Sequence, residues 1–284
     1  MSRRPGSCAG SRLPPNRTPT RRMRGQALRF DGGVGAAGPV EVAEEVPVNL
    51  VYATLPHAVM MATPADLEDF AYGFSLTEGV VAAAAEIRGV AVREVARGIV
   101  LDIDLVPAAL RRHMVRLRDA GGRSMAGRTG CGLCGIESLD ELPAARPVAP
   151  GAAIAPGAIR AALLGLEGRQ VLNRATRAVH AAAWCDASGG IVLLREDVGR
   201  HNALDKLVGA CLRAGVAPGE GFVLLTSRAS FEMVEKAASF GAGTVVAISA
   251  PTSLAVERAA ALGISLVAVA RPDGAVRFTP GDGE

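Results

Sequence analysis

The sequence predicts an α/β protein. Its C-terminal half is read as a mostly parallel sheet covered by helices, and its N-terminal half as a smaller α+β unit. Three observations carry that reading. From residue 191 onward, short β-rich runs alternate with helical runs. Those β-rich runs are apolar along nearly their whole length, as strands buried on both faces are. The first half has a different rhythm, with strand-patterned segments on either side of a helix, and 284 residues suffice for two modest cores.

Residues 1–30 hold eight arginines and no acid, with many Pro, Ser and Thr. This composition predicts a disordered basic tail. The segment has no apolar stretch, so it does not read as a secretory signal despite its arginine pairs. The formal net charge of +3 is a property of this tail, and the remainder of the chain is acidic. With only 4% aromatic residues as well, no nucleic-acid partner is expected. No apolar run is long enough to span a bilayer, so no membrane partner is expected either.

Residues 31–121 are expected to form the N-terminal α+β domain. VEVAEEVPVNLVY, from Val40, alternates roughly as strands do. TPADLEDFAYGFSLTEG reads as a helix with Thr63 as cap, Pro64 in the first turn, Asp66 supporting the start and Gly79 at the end. Residues 90–105 return to strand patterning, and PAALRRHMVRLRDAGG is a second helix stopped by Gly121 and Gly122. Residues 122–150 are read as a cysteine loop and a Pro/Gly-rich linker.

Residues 151–284 are expected to form the C-terminal α/β domain. IVLLRE, FVLLT, TVVAIS and ISLVAVA are its strands, and the runs 201–215, 230–241 and 252–263 its helices. Leu204, Leu207, Val208 and Cys211 form one buried stripe, and Met233, Val234 and Ala237 another. Strand-to-helix turns of such folds lie on one rim, where ligands bind. The rim would carry Asp197, Arg200 and His201, then Ser227 and Arg228, then Ser249, and finally Arg271 to Gly274. Helix amino termini and three guanidinium groups favour an anionic, phosphate-bearing ligand there. Against this, such residues can simply cap helices or face solvent. Arginine is this chain's default cation, because it has only two lysines. His201, at a helix start, can serve merely to cap or pack, and His180 reads as a packing residue rather than a catalyst.

The stretch GRTGCGLCGIESLDEL places Cys131 and Cys134 three apart among glycines. A structural zinc site needs four ligands, and Cys185 and Cys211 do not supply a second pair, so no metal is expected. A thioredoxin-type pair would open a helix, which this glycine-rich setting opposes. A flexible thiol carrier fits better. Arg123 and Arg128 would favour the thiolate, and a second thiol nearby can release a sulfur-bound cargo. Five cysteines without a signal segment suggest the reducing cytoplasm.

Seven stretches together carry a resemblance over about 40–279: EVAEEVPVNLVY, MMATPADLEDFAYGFSLTEGVV, GRTGCGLCGIESL, HAAAW, REDVGRHNALDKLVG, SRASFEMVEKAA and SAPTSLAVERA. The chain resembles the FdhD family, sulfur carriers needed for active formate dehydrogenase. The resemblance implies a homodimer with a cytidine-deaminase-like C-terminal domain that lacks the deaminase zinc ligands. It also implies a cysteine desulfurase that loads Cys131 with persulfide sulfur, with Cys134 as the second cysteine of the motif. The sulfur would pass to the molybdenum of a bis-molybdopterin guanine dinucleotide cofactor, which then enters formate dehydrogenase. The family's cofactor segment falls on Val269, Ala270, Arg271, Pro272, Asp273 and Gly274. Two features depart from the family: RATRAV, before His180, lacks the glycine of the TG-x-x-H element, and the arginine-rich tail has no counterpart. A non-covalent chaperone for the same cofactor is the alternative function, and a redox-sensing binding module a third.

Overall fold

The structure, a computed structural model, describes residues 18–119 and 147–279. Cys131, Cys134, Arg123, Arg128, Gly121 and Gly122 lie outside the described residues. The described chain opens with a two-stranded ribbon, β1 (Thr20–Arg29) and β2 (Gly33–Ala43). This corrects the expectation of a disordered tail through residue 30. Asp31-Gly32-Gly33 turns the chain, as glycine-rich hairpin loops do. Arg21 and Arg22 then reach Glu44 and Glu41 at 2.7 and 2.8 Å, so part of the basic run is consumed in cross-strand pairs.

Strands β3 (Val46–Tyr52), β4 (Leu55–Ala62), β5 (Ile87–Val95) and β6 (Gly98–Leu105) form a four-stranded sheet in the order β4-β3-β6-β5. Only the β3–β6 pair is parallel. Helices α1 (Leu67–Thr77) and α2 (Pro107–Asp119) cover it, with Phe70, Phe74 and Ala109 joining Leu50, Tyr52, Leu101 and Ile103 in one core.

Thr63 does not cap α1. The residue before that helix is Asp66, in a left-handed conformation (φ 53°) with no capping side-chain bond. Thr63 is turned toward the C-terminal half instead. Its N–H donates to Asp197 Oδ2 (2.9 Å), its Oγ1 accepts from the Val198 N–H (3.1 Å), and its carbonyl accepts from Lys206 Nζ (2.8 Å). Gly79, at φ 65°, follows α1 as expected.

After a stretch in which the Val148 N–H donates to the Leu262 carbonyl, the C-terminal half begins with α3 (Pro156–Arg169) and α4 (Val171–Thr176). Neither helix was legible: Gly157, Gly165 and Gly168 lower the helical signal of α3, and α4 is only 6 residues long. Then follow β7 (His180–Asp186), β8 (Ile191–Asp197), α5 (Arg200–Ala214), β9 (Gly221–Leu225), α6 (Phe231–Phe240), β10 (Thr244–Ala247), α7 (Ser253–Leu262), β11 (Ser265–Arg271) and β12 (Gly274–Arg277).

The sheet order is β12-β11-β10-β9-β7-β8. It is mixed, which corrects the mostly parallel expectation: β9–β10 and β10–β11 pair in parallel, while β7 runs antiparallel to both β8 and β9, and β12 to β11. The alanine-rich HAAAWCD reads poorly as a strand, so its insertion was not foreseen. Residues alternate between two cores. Val223 and Leu225 face α5, α6 and α7, whereas Phe222 and Leu224 face α3. Both expected helical stripes lie in the first of these cores.

The two halves join where α1 crosses α5, at Gly73 and Gly209. A Cβ at Gly73 would stand 1.7 Å from the Asp205 carbonyl oxygen, and one at Gly209 would stand 1.8 Å from that of Asp69. Around the crossing, buried charges are paired, some between the halves and some within the C-terminal half. Asp69 accepts from Arg195 Nε at 2.8 Å and also from Arg213. Lys206 donates to Asp197 at 2.6 Å, and both are 0% exposed. Lys236 donates to both oxygens of Asp205 and to Glu78 Oε1, each at 3.0 Å.

Candidate functional site

Because β7 is inverted between β8 and β9, the strands β8, β9, β10 and β11 all point the same way. Their carboxyl ends share one edge of the sheet. The rim residues expected from the sequence therefore fall on that edge, but they differ in what they can reach.

Asp197 lies behind the rim. Its carboxylate accepts from Lys206 Nζ, the Thr63 N–H, the Gly199 N–H (2.8 Å) and Asn202 Nδ2 (3.0 Å). These bonds hold the first turn of α5 against the N-terminal half and leave the carboxylate no free face. Ser227 is buried and donates to the Arg228 carbonyl (3.0 Å), while the Arg228 side chain is exposed. Ser249 is half-buried, and its carbonyl accepts from the Val269 N–H at 3.2 Å.

Arg200 is the first residue of α5, and its Nε is buried with no partner. His201 follows, 7% exposed, with Nε2 also unpartnered. Burial, reinforced by the charges of Arg200 and Lys236, pulls the His201 imidazole down to about 3, so it is neutral at pH 7. Burial, then Arg200, likewise lowers His180, at the amino end of β7. Ser230, just before α6, has a buried Oγ that makes no bond and does not cap its own helix.

His201 has a consequence for stability. Between its ordinary 6.5 and about 3, the unfolded chain binds a proton that the native state refuses. Its contribution to stability is therefore lost as pH falls below 6.5. From pH 7 to pH 5 this one group should cost about 1–2 kcal/mol. Urea midpoints measured at both pH values should drop less for His201→Gln than for the parent chain. Equal drops would show that position 201 does not resist protonation.

The segment 269–274 lies at the far end of the rim. Val269 sits at φ 52°, an unusual conformation for a β-branched residue, and the β11–β12 register shifts between Ala268 and Arg271. The Arg271 guanidinium donates to the Ile248 and Ala270 carbonyls, which ties the ends of β10 and β11 together. Beside it opens a cleft of about 720 Å³ between α3 and the β11–β12 turn, lined in part by Arg160, Arg271, Pro272, Asp273, Gly274 and Arg277. Arg160 Nε donates to the Pro272 carbonyl at 3.0 Å. Three arginines against one aspartate make this cleft cationic, which suits phosphate. Arg160 and Arg277 were not read from the sequence. Their convergence depends on how α3 packs, and no local pattern reports that.

Cys185 and Cys211 are buried free thiols, both pushed up to about 12 chiefly by burial. They are therefore poor nucleophiles. Among the described residues no three His, Cys, Asp or Glu side chains gather to hold a metal. No described helix is long and apolar enough to cross a membrane.

Comparison with known proteins adds identity to this geometry. The sequence model of the FdhD/NarQ family matches residues 43–282. The sulfur carrier protein FdhD of Bordetella petrii is 49% identical over 247 residues, covering 86% of this chain and 87% of that protein. The protein of the same name from Cupriavidus necator is 50% identical over 246 residues, covering 86% and 83%. The crystal structure of a chain from Desulfotalea psychrophila, provisionally assigned as a formate dehydrogenase accessory protein, superposes with a TM-score of 0.72. It covers 93% of this chain and 99% of its own at 23% identity, which speaks to the fold alone. With a family match over most of its length and relatives about half identical over 86% of it, the chain belongs to the FdhD/NarQ family.

Proposed function

We propose that the protein is a sulfur carrier that serves formate dehydrogenase, with Cys131 as the thiol that holds the sulfur. One observation carries this reading: GRTGCGLCG lies within a match of about half identity to proteins named sulfur carriers. A cysteine desulfurase supplies the sulfur. The Cys131 thiolate attacks the terminal sulfur of the donor persulfide, the donor thiolate leaves, and Cys131 becomes the persulfide. Cys134, three residues on, can attack the Cys131 sulfur. That step forms the Cys131–Cys134 disulfide and releases the outer sulfur as hydrosulfide, so two thiols supply the two electrons.

The acceptor substrate is the bis-molybdopterin guanine dinucleotide cofactor on its way to formate dehydrogenase. Its pyrophosphates suit a cationic cleft and the helix amino termini of the rim. Arg200, His201, Arg228 and Ser249, with the segment 269–274, are proposed to face it, and Arg160 and Arg277 join them from the cleft wall. Asp197 acts at one remove, by holding the turn that presents Arg200 and His201, and Ser227 by bracing the turn that presents Arg228. The finer reading also comprises a cytidine-deaminase-like C-terminal domain, a homodimer and a cytoplasmic setting.

Intact-mass and peptide mass spectrometry after incubation with a cysteine desulfurase and cysteine tests the proposal. One reductant-labile sulfur is expected on Cys131, and none on the Cys131→Ala variant. Accessible Cys131 and Cys134 thiols that never gain sulfur would overturn the carrier reading. Retained support of formate dehydrogenase by Cys131→Ala would favour a cofactor chaperone that needs no covalent step.

A further inference from the structure

The ribbon that opens the described chain contributes no residue to the rim or to the cleft beside it. β1 and β2 pair with each other and join neither sheet, and β2 packs against α4. The outer end of the ribbon carries the three most exposed large apolar side chains among the described residues: Phe30 at 105%, Leu28 at 69% and Val34 at 65%. Leu28 and Val34 are cross-strand partners, and Phe30 starts the turn that joins their strands. Further from the turn Met23 pairs with Val40, and both are exposed as well.

Geometry and charge say what such an end can meet. Alternation along β1 turns Met23 and Leu28 to opposite faces, so apolar side chains are exposed on both sides of the ribbon. A protein groove covers one face of a two-stranded ribbon and leaves the other in water. A lipid headgroup layer surrounds a tip on every side, takes up its apolar side chains and offers phosphates to the cations beside them. Arg21 and Arg22 are paired with Glu44 and Glu41, but Arg24 and Arg29 are exposed and stand in no ion pair among the described residues. Residues 1–43 hold eight arginines against two acids, Asp31 and Glu41, whereas the remainder of the chain is acidic. Such an asymmetry favours an anionic surface at this end of the molecule.

We propose that the tip of the β1–β2 ribbon, with Leu28, Phe30, Val34 and Arg29, docks on an anionic lipid surface. The apolar side chains attach the tip, and the arginines select the headgroup. No described helix is long and apolar enough to cross a membrane, but a contact that lies on the surface needs none. The inference stands apart from the carrier reading, since neither Cys131 nor any rim residue takes part in the contact.

Sedimentation of the full-length protein with extruded vesicles tests the proposal. Phosphatidylcholine vesicles with about one-third phosphatidylglycerol should bind it at least about fivefold more tightly than pure phosphatidylcholine. High salt should narrow that difference. The double change Leu28→Ser, Phe30→Ser should weaken binding to the anionic vesicles at least about tenfold. Circular dichroism and the urea midpoint should stay as in the parent chain, because both side chains are exposed. Arg29→Gln should weaken binding to the anionic vesicles about fivefold and leave pure phosphatidylcholine almost unaffected. Leu254→Ser, which removes an exposed apolar side chain of α7, is the control and should bind as the parent does. No sedimentation with either vesicle would overturn the proposal. So would binding that survives Leu28→Ser, Phe30→Ser, which would assign the attraction to other arginines of residues 1–30. Self-association abolished by the same double change, without lipid binding, would make the tip a contact between protein molecules instead. Sulfur loading of Cys131 should be equal in all these variants, so the two proposals can fail independently.

Discussion

Gly73→Ala is expected to cost the native state about 3 kcal/mol or more, although alanine is the better helix former by about 1 kcal/mol. The added methyl would fall 1.7 Å from the Asp205 carbonyl oxygen and 2.8 Å from the Gly209 nitrogen. Both obstacles are backbone, so no rotamer change relieves the clash. α1 has to separate from α5, and the separation stretches the pairs that span the crossing: Asp69 with Arg195 and Arg213, and Thr77 with Asp205. Gly209→Ala meets the mirror-image obstacle at the Asp69 carbonyl and should cost as much. Gly168→Ala in α3 is the control, because a Cβ there meets nothing within 4 Å. It should be neutral or stabilise by up to about 1 kcal/mol. Urea denaturation of the three variants checks this. Equal midpoints for Gly73→Ala and Gly168→Ala would remove the crossing from the account of stability.

Lys206→Met should be comparably severe, at about 3–5 kcal/mol. Neither Lys206 nor Asp197 is exposed, and the ammonium also satisfies the Thr63 carbonyl at 2.8 Å. Its removal leaves a buried carboxylate to three dipolar donors and orphans a carbonyl. Asp197→Asn alone is costly for the converse reason, since it strands the ammonium. The double variant removes both charges, so its cost should fall short of the sum by about 1–3 kcal/mol. A double-mutant cycle in urea measures that shortfall. Strict additivity would mean that the two groups act independently, contrary to their 2.6 Å contact.

These two sites show where local pattern informs and where it does not. α5, α6, α7 and the strands β8 to β11 were readable because each is a continuous apolar run or stripe bounded by turn residues. The rim was readable because chain direction alone brings the ends of those strands to one edge. Thr63 misled for the opposite reason. Thr-Pro-x-Asp is a sound local cap pattern, but the Val198 N–H that claims the Thr63 Oγ1 stands 135 residues away. β7 was missed because alanine carries little strand signal. The ribbon was missed because its arginines read as a solvated run until the glutamates opposite them are known. Ser230 read only as a helix start, since nothing in its neighbours says that its oxygen goes unused.

The bridge between the halves also orders events during synthesis. Asp69 is 4% exposed in the finished protein, and Arg195, which neutralises it, lies 126 residues further along the chain. At ordinary translation speeds that interval is on the order of ten seconds. Through it, the N-terminal sheet and α1 emerge with their glycine seam bare and their acids facing water. The first half can assemble its strands early, but it can lock α1 in place only once α5 has left the ribosome. A stall or truncation before residue 195 therefore releases a chain with an open helical face, the kind of surface that chaperones and proteases engage.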